Sequence, residues 1–432
     1  MADPNNIEPP IQYDPVPTVE TGFATTHPPA PNYGPDTGTG DASEPLKGLI
    51  PTGKDRFPAN EQWLDVPWAI AYLLHSAVFY GLLIWQAASG CTKALEDLFD
   101  NNENNDFQLK AGDVVIFMTM AMIIGSIVSF MILLISRKYA KQLMWVGLGL
   151  QAVISVALIV WGVVAKVFAL SIVGAIMLVL IIIMGFLFRN NIGLAAALLT
   201  GAGVAVRKNW GMIVLTLAYA VYVIIALASL IIWLCAIAYL LDQSRFPDEY
   251  NPGLGYTLAI WGLLAYIWID YTVLNMLHMT CCGSCARLFY LGERQQPQNP
   301  TVTSAKLATT KHFGAACLGG FLTACVTWLR IMVETAKGQA ASEGNLAGYL
   351  LACCCAFFLS CIEAFVKIVN QYAMVYVAMY GNGFWKSGKM VLKLMVSSGL
   401  EPIFQDWSLS LYNTTAVIFS ALLSVALLGG LS

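Results

Sequence analysis

Residues 210–240 read WGMIVLTLAYAVYVIIALASLIIWLCAIAYL, thirty-one positions without an acid or a base. A hydrocarbon core roughly 30 Å thick takes about 20 apolar residues to cross as helix. No water reaches the backbone there, so only helices or closed barrels span it. A barrel strand alternates apolar and polar residues over about ten positions. This stretch does neither, and it reads as a membrane-spanning helix.

The same reading extends to eight further stretches, placing spans at 66–89, 112–135, 142–165, 167–188, 254–278, 313–335, 347–366 and 412–432 beside 210–240. With 58% hydrophobic and 11% charged residues and a mean hydropathy of +0.66, lipid is the main solvent of this chain. The predicted fold class is all-α, a polytopic transmembrane helical bundle of about nine spans over residues 61–432. Its 432 residues leave room for that bundle and a tail, and for no second globular domain. Residues 1–60 are rich in Pro, Asn, Asp, Thr and Gly. Such a segment buries too little surface to offset its ordering entropy and is predicted to be a disordered cytosolic tail. It holds no apolar core of a cleavable leader.

Charge sets the predicted orientation. With the tail in the cytosol, sixteen bases fall on inner segments, among them Arg137, Lys138, Lys141, Arg207, Lys208, Lys386, Lys389 and Lys393. Outer segments hold Lys93, Lys110, Lys166, Arg245 and Lys337, and the first outer loop collects Glu96, Asp97, Asp100, Glu103 and Asp106. Cytosolic loops carry the excess of Lys and Arg. Residues 191–206 (NIGLAAALLTGAGVAV) are apolar but short, with bases at both flanks. They read as an interfacial or re-entrant segment, since a crossing there would invert every later loop. Residues 367–380 continue the eighth helix past the expected membrane thickness, by tilt or along the inner surface.

Several function classes drop out. The bases are scattered over loops and form no nucleic-acid patch. GLIPTGKD (residues 48–55) approaches a phosphate-binding loop, but Asp55 stands where the metal-binding hydroxyl belongs and no strand precedes it. Of eleven cysteines, Cys91 alone falls in an outer loop, so no disulfide framework is expected. CCGSC (Cys281, Cys282, Cys285) lacks a second pair to complete four metal ligands. Packing of small thiols is the plainer role, acylation at the inner end of the sixth helix the special one. The sequon at Asn413 falls on the inner side. No cofactor, no metal and no hydrolytic motif is expected, and the chain reads as not an enzyme.

Intramembrane ionisable groups are costly and mark candidate sites. Arg330 and Glu334, and likewise Glu363 and Lys367, stand four apart and fit neutralising pairs on one helix face. Asp270, in WIDYTVLNMLHM, has no such neighbour and lies mid-helix between Trp268 and Tyr271. A quaternary ammonium has no N–H to donate, so it is held by aromatic faces and a compensating carboxylate. Trp261, Trp268, Tyr271, Trp328 and Tyr372 are candidate walls. The plainer alternative is that Trp and Tyr collect at membrane interfaces, as read for Trp68, Tyr72, Trp85, Trp145, Trp210 and Trp385.

The stretch CIEAFVKIVNQYAMVYVAMYGNGFWKSGK (residues 361–389) resembles the signature of the choline transporter-like family. The matching positions are Cys361, Glu363, Asn370, Tyr372, Ala373, Ala378, Tyr380, Gly381, Phe384 and Ser387. Upstream, NPTVTSAKLATTKHFGAACLGGFL (residues 299–322) is similar to the family's inner loop, matching at Ser304, Lys306, His312, Gly314 and Gly319, with Ala315 where Ser is frequent. Residues 191–206 resemble the family's cytosol-facing amphipathic segment, and the tail-first layout resembles fungal and protist members. The resemblance is good over about 185–411. It implies ten spans, so the last helix is expected to be missing from a chain of nine.

The resulting expectation is a plasma-membrane transporter with its amino terminus in the cytosol. It would move choline or a related small organic cation, ethanolamine-like, by ATP-independent alternating access. Glu363, Asn370 and Tyr372 enter the expected site through the family motif; Trp268, Asp270 and Tyr271 enter through their chemistry. The alternatives are a non-transporting scaffold or subunit of a lipid-handling complex and, more distantly, a lipid-headgroup enzyme. Substrate-bearing acids that share no cavity would favour the scaffold.

Overall fold

The computed structural model describes residues 57–58, 62–88, 111–188, 192–241, 250–398 and the single positions 414, 417 and 418. The expected disordered tail, apart from 57–58, and the expected ninth span at 412–432, apart from those three positions, lie outside the described residues. Everything regular among the described residues is helix. In chain order these are α1 (Val66–Gln86), α2 (Ala111–Val164), α3 (Phe168–Phe188), α4 (Ile192–Lys208) and α5 (Gly211–Leu241). There follow α6 (Pro252–Gln295), α7 (Pro300–Thr309), α8 (Phe313–Ser342), α9 (Leu346–Tyr380) and α10 (Phe384–Ser398).

Six of the described helical segments are long and apolar enough to cross a membrane: α1, the second half of α2, α5, α6, α8 and α9. They correspond to six of the nine expected spans. The expected span 167–188 is the helix α3, whose apolar stretch is shorter, Leu170–Ile183. The span 112–135 forms the first part of α2. That helix has 54 residues, about 80 Å if straight, more than twice a hydrocarbon core. It is interrupted at Tyr139 (φ −121°, ψ 26°), inside the RKYAK stretch that separates the two expected spans.

Several helix ends follow from local chemistry. Asn251 caps α6, its Oδ1 accepting from the Leu254 N–H at 3.1 Å, and Pro252 opens the first turn. Asn345 caps α9 through the Gly348 N–H at 3.0 Å. Gly381, at φ 61° and ψ 29°, ends α9 in the left-handed conformation that glycine adopts without a Cβ penalty. The described part of the expected 191–206 segment lies in the 17-residue α4, with Arg207 and Lys208 in its last turn. Its Gly201 faces the Phe289 ring on α6. CCGSC lies within α6, which runs 44 residues, so these thiols sit on a continuous helix. The ten described cysteines are all free. Residues 367–380 continue α9 without a break.

The centre of the bundle is α8. Its buried side is Gly314, Ala315, Ala316, Cys317, Leu318, Gly319, Gly320, Thr323, Ala324 and Thr327. In lipid, association rests on close packing, and small residues allow backbones to approach. A Cβ on Gly320 would come 2.7 Å from Thr272 Oγ1 on α6, and one on Gly319 would strike Asn370 and Met374 of α9. The segment before α1 is tied to the same end. Phe57 N–H donates to Met379 O at 2.7 Å, and Leu64 N–H donates to Lys311 O at 2.9 Å. Asp65 Oδ2 accepts from the Phe384 N–H at 2.8 Å, capping α10. Phe57 and residues 62–65 thus strap the end of α9 to the starts of α1, α8 and α10.

Candidate functional site

Trp268, Asp270 and Tyr271 share about one turn of α6 but not a direction. At about 100° per residue, Asp270 is roughly opposite Trp268. Trp268 turns toward α1 and α8. Its Nε1 donates to Cys317 O at 2.9 Å, and it is 5% exposed. Its ring is enclosed by Tyr72, His75 and Phe321, with centroids 5.7, 4.9 and 4.9 Å away. The indole is a packed core element that leaves no face for a ligand. His75 is wedged between it and Trp261, also at 4.9 Å.

Tyr271 turns toward α8 and α9, where Glu363 sits. This carboxylate is buried and heavily engaged. Thr327 Oγ1 donates to its Oε1 at 2.8 Å. Lys367 reaches the same oxygen at 2.7 Å, and Arg330 Nε binds Oε2. Arg330 also holds Glu334 through Nη1 at 2.6 Å. Both expected i,i+4 pairs form, and an Arg330–Glu363 link between α8 and α9 joins them into one network. The Lys367 ammonium lies 5.5 Å from the Tyr271 ring centre, and Tyr271 Oη is 3.3 Å from Thr327 Oγ1. The ring and carboxylate expected to receive a cation already hold the chain's own.

Asn370 lies two turns further along α9, buried. Its Nδ2 donates to Asn275 Oδ1 at 2.8 Å, and Asn275 Nδ2 donates to Ala316 O at 3.1 Å. This asparagine ladder satisfies both Nδ2 groups and the Asn275 Oδ1, which would otherwise be costly to bury, and ties α6, α8 and α9 together. Tyr372 is half-buried against the cluster around Met374 and Phe384. Of the six expected residues Tyr271 and Glu363 meet, around Lys367 and Thr327; the others lie apart, and no single cage joins all six.

Asp270 faces a wall that the sequence reading missed. It is half-buried on the side toward α1 and α5. Tyr222 Oη points at its Oδ1 from 3.4 Å. Tyr80, Tyr219 and Tyr266 are close enough to feel its charge. Tyr219 and Tyr222 stack at 5.8 Å, and Tyr266 Oη donates to Ala226 O at 3.4 Å. Among the described residues no Lys, Arg or His forms an ion pair with Asp270. Tyr266, one turn before Asp270, was legible as a neighbour on the same face. Tyr80, Tyr219 and Tyr222 come from other helices and left no local signal.

A small void lies further along α6, lined by Met279, Gly283, Arg287, Ser304, His312 and Ala378 among others. It has room for about one water. Among the described residues no group of His, Cys, Asp and Glu is arranged to hold a metal ion.

Residues 172–431 match the sequence model described as plasma-membrane choline transporter. That is more than half of the chain. The chain belongs to the choline transporter-like family. Similar proteins include Protein PNS1 of Gibberella zeae, 25% identical over 86% of this chain and 70% of that protein. Protein PNS1 of Mycosarcoma maydis is 25% identical over 72% of this chain and 59% of its own length. A CTL-like protein of Dictyostelium discoideum is 25% identical over 90% of this chain and 67% of its own. The chain thus spans roughly three-fifths to seven-tenths of these relatives. Membership in this transporter family and the set of long apolar helices make it a multi-pass membrane protein. Much of the family motif proves to be packing: Gly319 under Asn370, Gly381 at the end of α9, and Phe384 and Ser387 buried on the bundle-facing side of α10.

Proposed function

We propose that this chain carries choline or a related small organic cation across the plasma membrane, without ATP, by alternating access. One observation carries the reading. Of the buried or half-buried intramembrane carboxylates described, Glu363 and Glu334 are neutralised by Arg330 and Lys367, whereas Asp270 has no counter-ion among the described residues and is met by the Tyr222 hydroxyl. An ionised carboxylate in lipid demands a cation, and phenol faces suit a methylated ammonium that cannot donate a hydrogen bond. Asp270 would compensate the charge while Tyr80, Tyr219, Tyr222 and Tyr266 supply π faces. These residues come from α1, α5 and α6, so relative movement of those helices would open and close the site. Glu363, Asn370, Trp268 and Tyr271 would act on it by holding the α6–α8–α9 frame.

A second reading has its own observation: the acids converge on no common void, as in a scaffold that transports nothing. Radiolabelled choline uptake into proteoliposomes separates the two. We expect saturable uptake by the full chain and at least a tenfold loss in Asp270→Asn at equal folded protein. Absence of uptake by the unaltered chain favours the scaffold. Unchanged uptake by Asp270→Asn removes the proposed site while leaving transport intact.

A further inference from the structure

α10 divides into three sectors. Phe384, Ser387, Met390 and Val391 face the bundle and are buried; Phe384 and Val391 join the core with Met374 and Val377 of α9. The opposite surface is exposed, and its residues are ordered. At about 100° per residue, Trp385, Leu392 and Val396 fall within about 40° of one another, and Lys389, Lys393 and Lys386 continue the surface over the next 80° or so. Trp385 is 59% exposed and Val396 85% exposed, and all three lysines are exposed. An apolar stripe thus runs beside a basic stripe along one 15-residue helix that carries no acid.

We propose that this surface binds the headgroups of anionic phospholipids, with Trp385, Leu392 and Val396 in the acyl boundary and the three lysines on the phosphates. The charge pattern selects the partner. Lys389 and Lys393 are four apart and Lys386 and Lys389 three apart, spacings at which like charges repel on a helix. Among the described residues none of the three makes an ion pair, so their countercharge comes from outside the described chain. A second copy is a poor fit, because a two-fold contact would set lysines against lysines. The location selects the lipid. α10 follows the left-handed turn at Gly381 that ends a membrane-length helix, and Asp65 and Phe384 pin its start to the bundle. It is held where a helix with one apolar and one basic stripe lies in the interfacial plane, and each lysine near an anionic surface strengthens attachment roughly five-fold at low salt.

The test uses the full-length chain in mild detergent, with thermal unfolding followed as phosphatidylserine or phosphatidylcholine is added. We expect half-maximal stabilisation at a phosphatidylserine concentration at least tenfold below that for phosphatidylcholine, the gap shrinking in 0.5 M NaCl. Lys386→Gln/Lys389→Gln/Lys393→Gln should unfold at the unaltered temperature without lipid and respond alike to both lipids. Lys306→Gln, another exposed base, should keep the preference. The proposal is overturned if the unaltered chain shows no preference, or if the triple variant retains it. It also fails if inorganic phosphate at millimolar concentration stabilises as phosphatidylserine does, which would mark a phosphate site. None of these readouts depends on transport, so failure here and failure of the transport reading are separate.

Discussion

Glu363 and Asp270 show how much a single carboxylate's neighbours decide. Glu363 is 6% exposed at its side chain and holds two cations, themselves 28% and 40% exposed. Removing its charge strands both bases beside a buried amide. Breaking one partner of such a network costs more than replacing the whole pair by apolar groups. We expect Glu363→Gln to destabilise the protein by about 2 kcal/mol, reduced from the fully buried case because both bases are partly exposed. Glu363→Gln/Lys367→Met should recover part of that loss. Thermal unfolding of the purified variants measures both, and a double variant less stable than the single one would show that Lys367 is not held mainly by Glu363. Asp270 is the converse, a carboxylate with phenols and no described base. From the sequence the two acids looked alike in kind, differing in the i+4 lysine. That local difference was readable because spacing on one helix is fixed by the chain itself. The Arg330–Glu363 link was not, because it depends on which face of α8 meets α9.

At the scale of elements, α8 is a helix of contacts too close for side chains. Gly314 abuts the carbonyls of Leu64 and Asp65, Gly319 abuts Asn370 and Met374, and Gly320 abuts Thr272. A methyl at Gly319 or Gly320 must push a neighbouring helix outward. Overpacking of this kind costs about 1–3 kcal/mol. Gly319→Ala and Gly320→Ala should each lower the unfolding temperature, whereas Gly338→Ala, inside α8 with nothing within 4 Å, should raise it slightly because Ala is the better helix former. A rise at all three would mean that helix propensity outweighs packing. The strap makes a similar demand. Asp65→Ala removes the cap on α10, worth about 1 kcal/mol, and should make residues 382–398 more susceptible to limited proteolysis while α9 stays protected. The caps at Asn251 and Asn345 and the glycine stop at Gly381 were legible as residue types. That Asp65 caps a helix 319 positions away was not, since nothing in its own neighbourhood names Phe384.

For the molecule as a whole, the orientation we propose from the distribution of bases would put the turn after α8 on the outer side and α10 on the inner. An epitope placed at residues 343–345, between α8 and α9, should be reached by antibody on intact cells if the chain resides at the plasma membrane. One placed at the amino terminus should be reached only after permeabilisation. Labelling in the reverse pattern would invert the orientation and move α10 to the opposite leaflet, where anionic lipid is scarce.

The sequence by itself determined that this chain is a bundle of membrane helices, where six of them lie, and which family it belongs to. Long runs without charge admit no other backbone solution in lipid, and the motif from Cys361 to Lys389 stands in one continuous stretch. The tertiary structure decided which acid is left uncompensated and which rings surround it. Trp268, Asp270 and Tyr271 of α6 diverge by helical geometry toward three different partners. Tyr222 reaches Asp270, with Tyr80 and Tyr219 in its field, only because α1 and α5 pack beside it. Period and composition act along one helix; the environment of a side chain is made by the others.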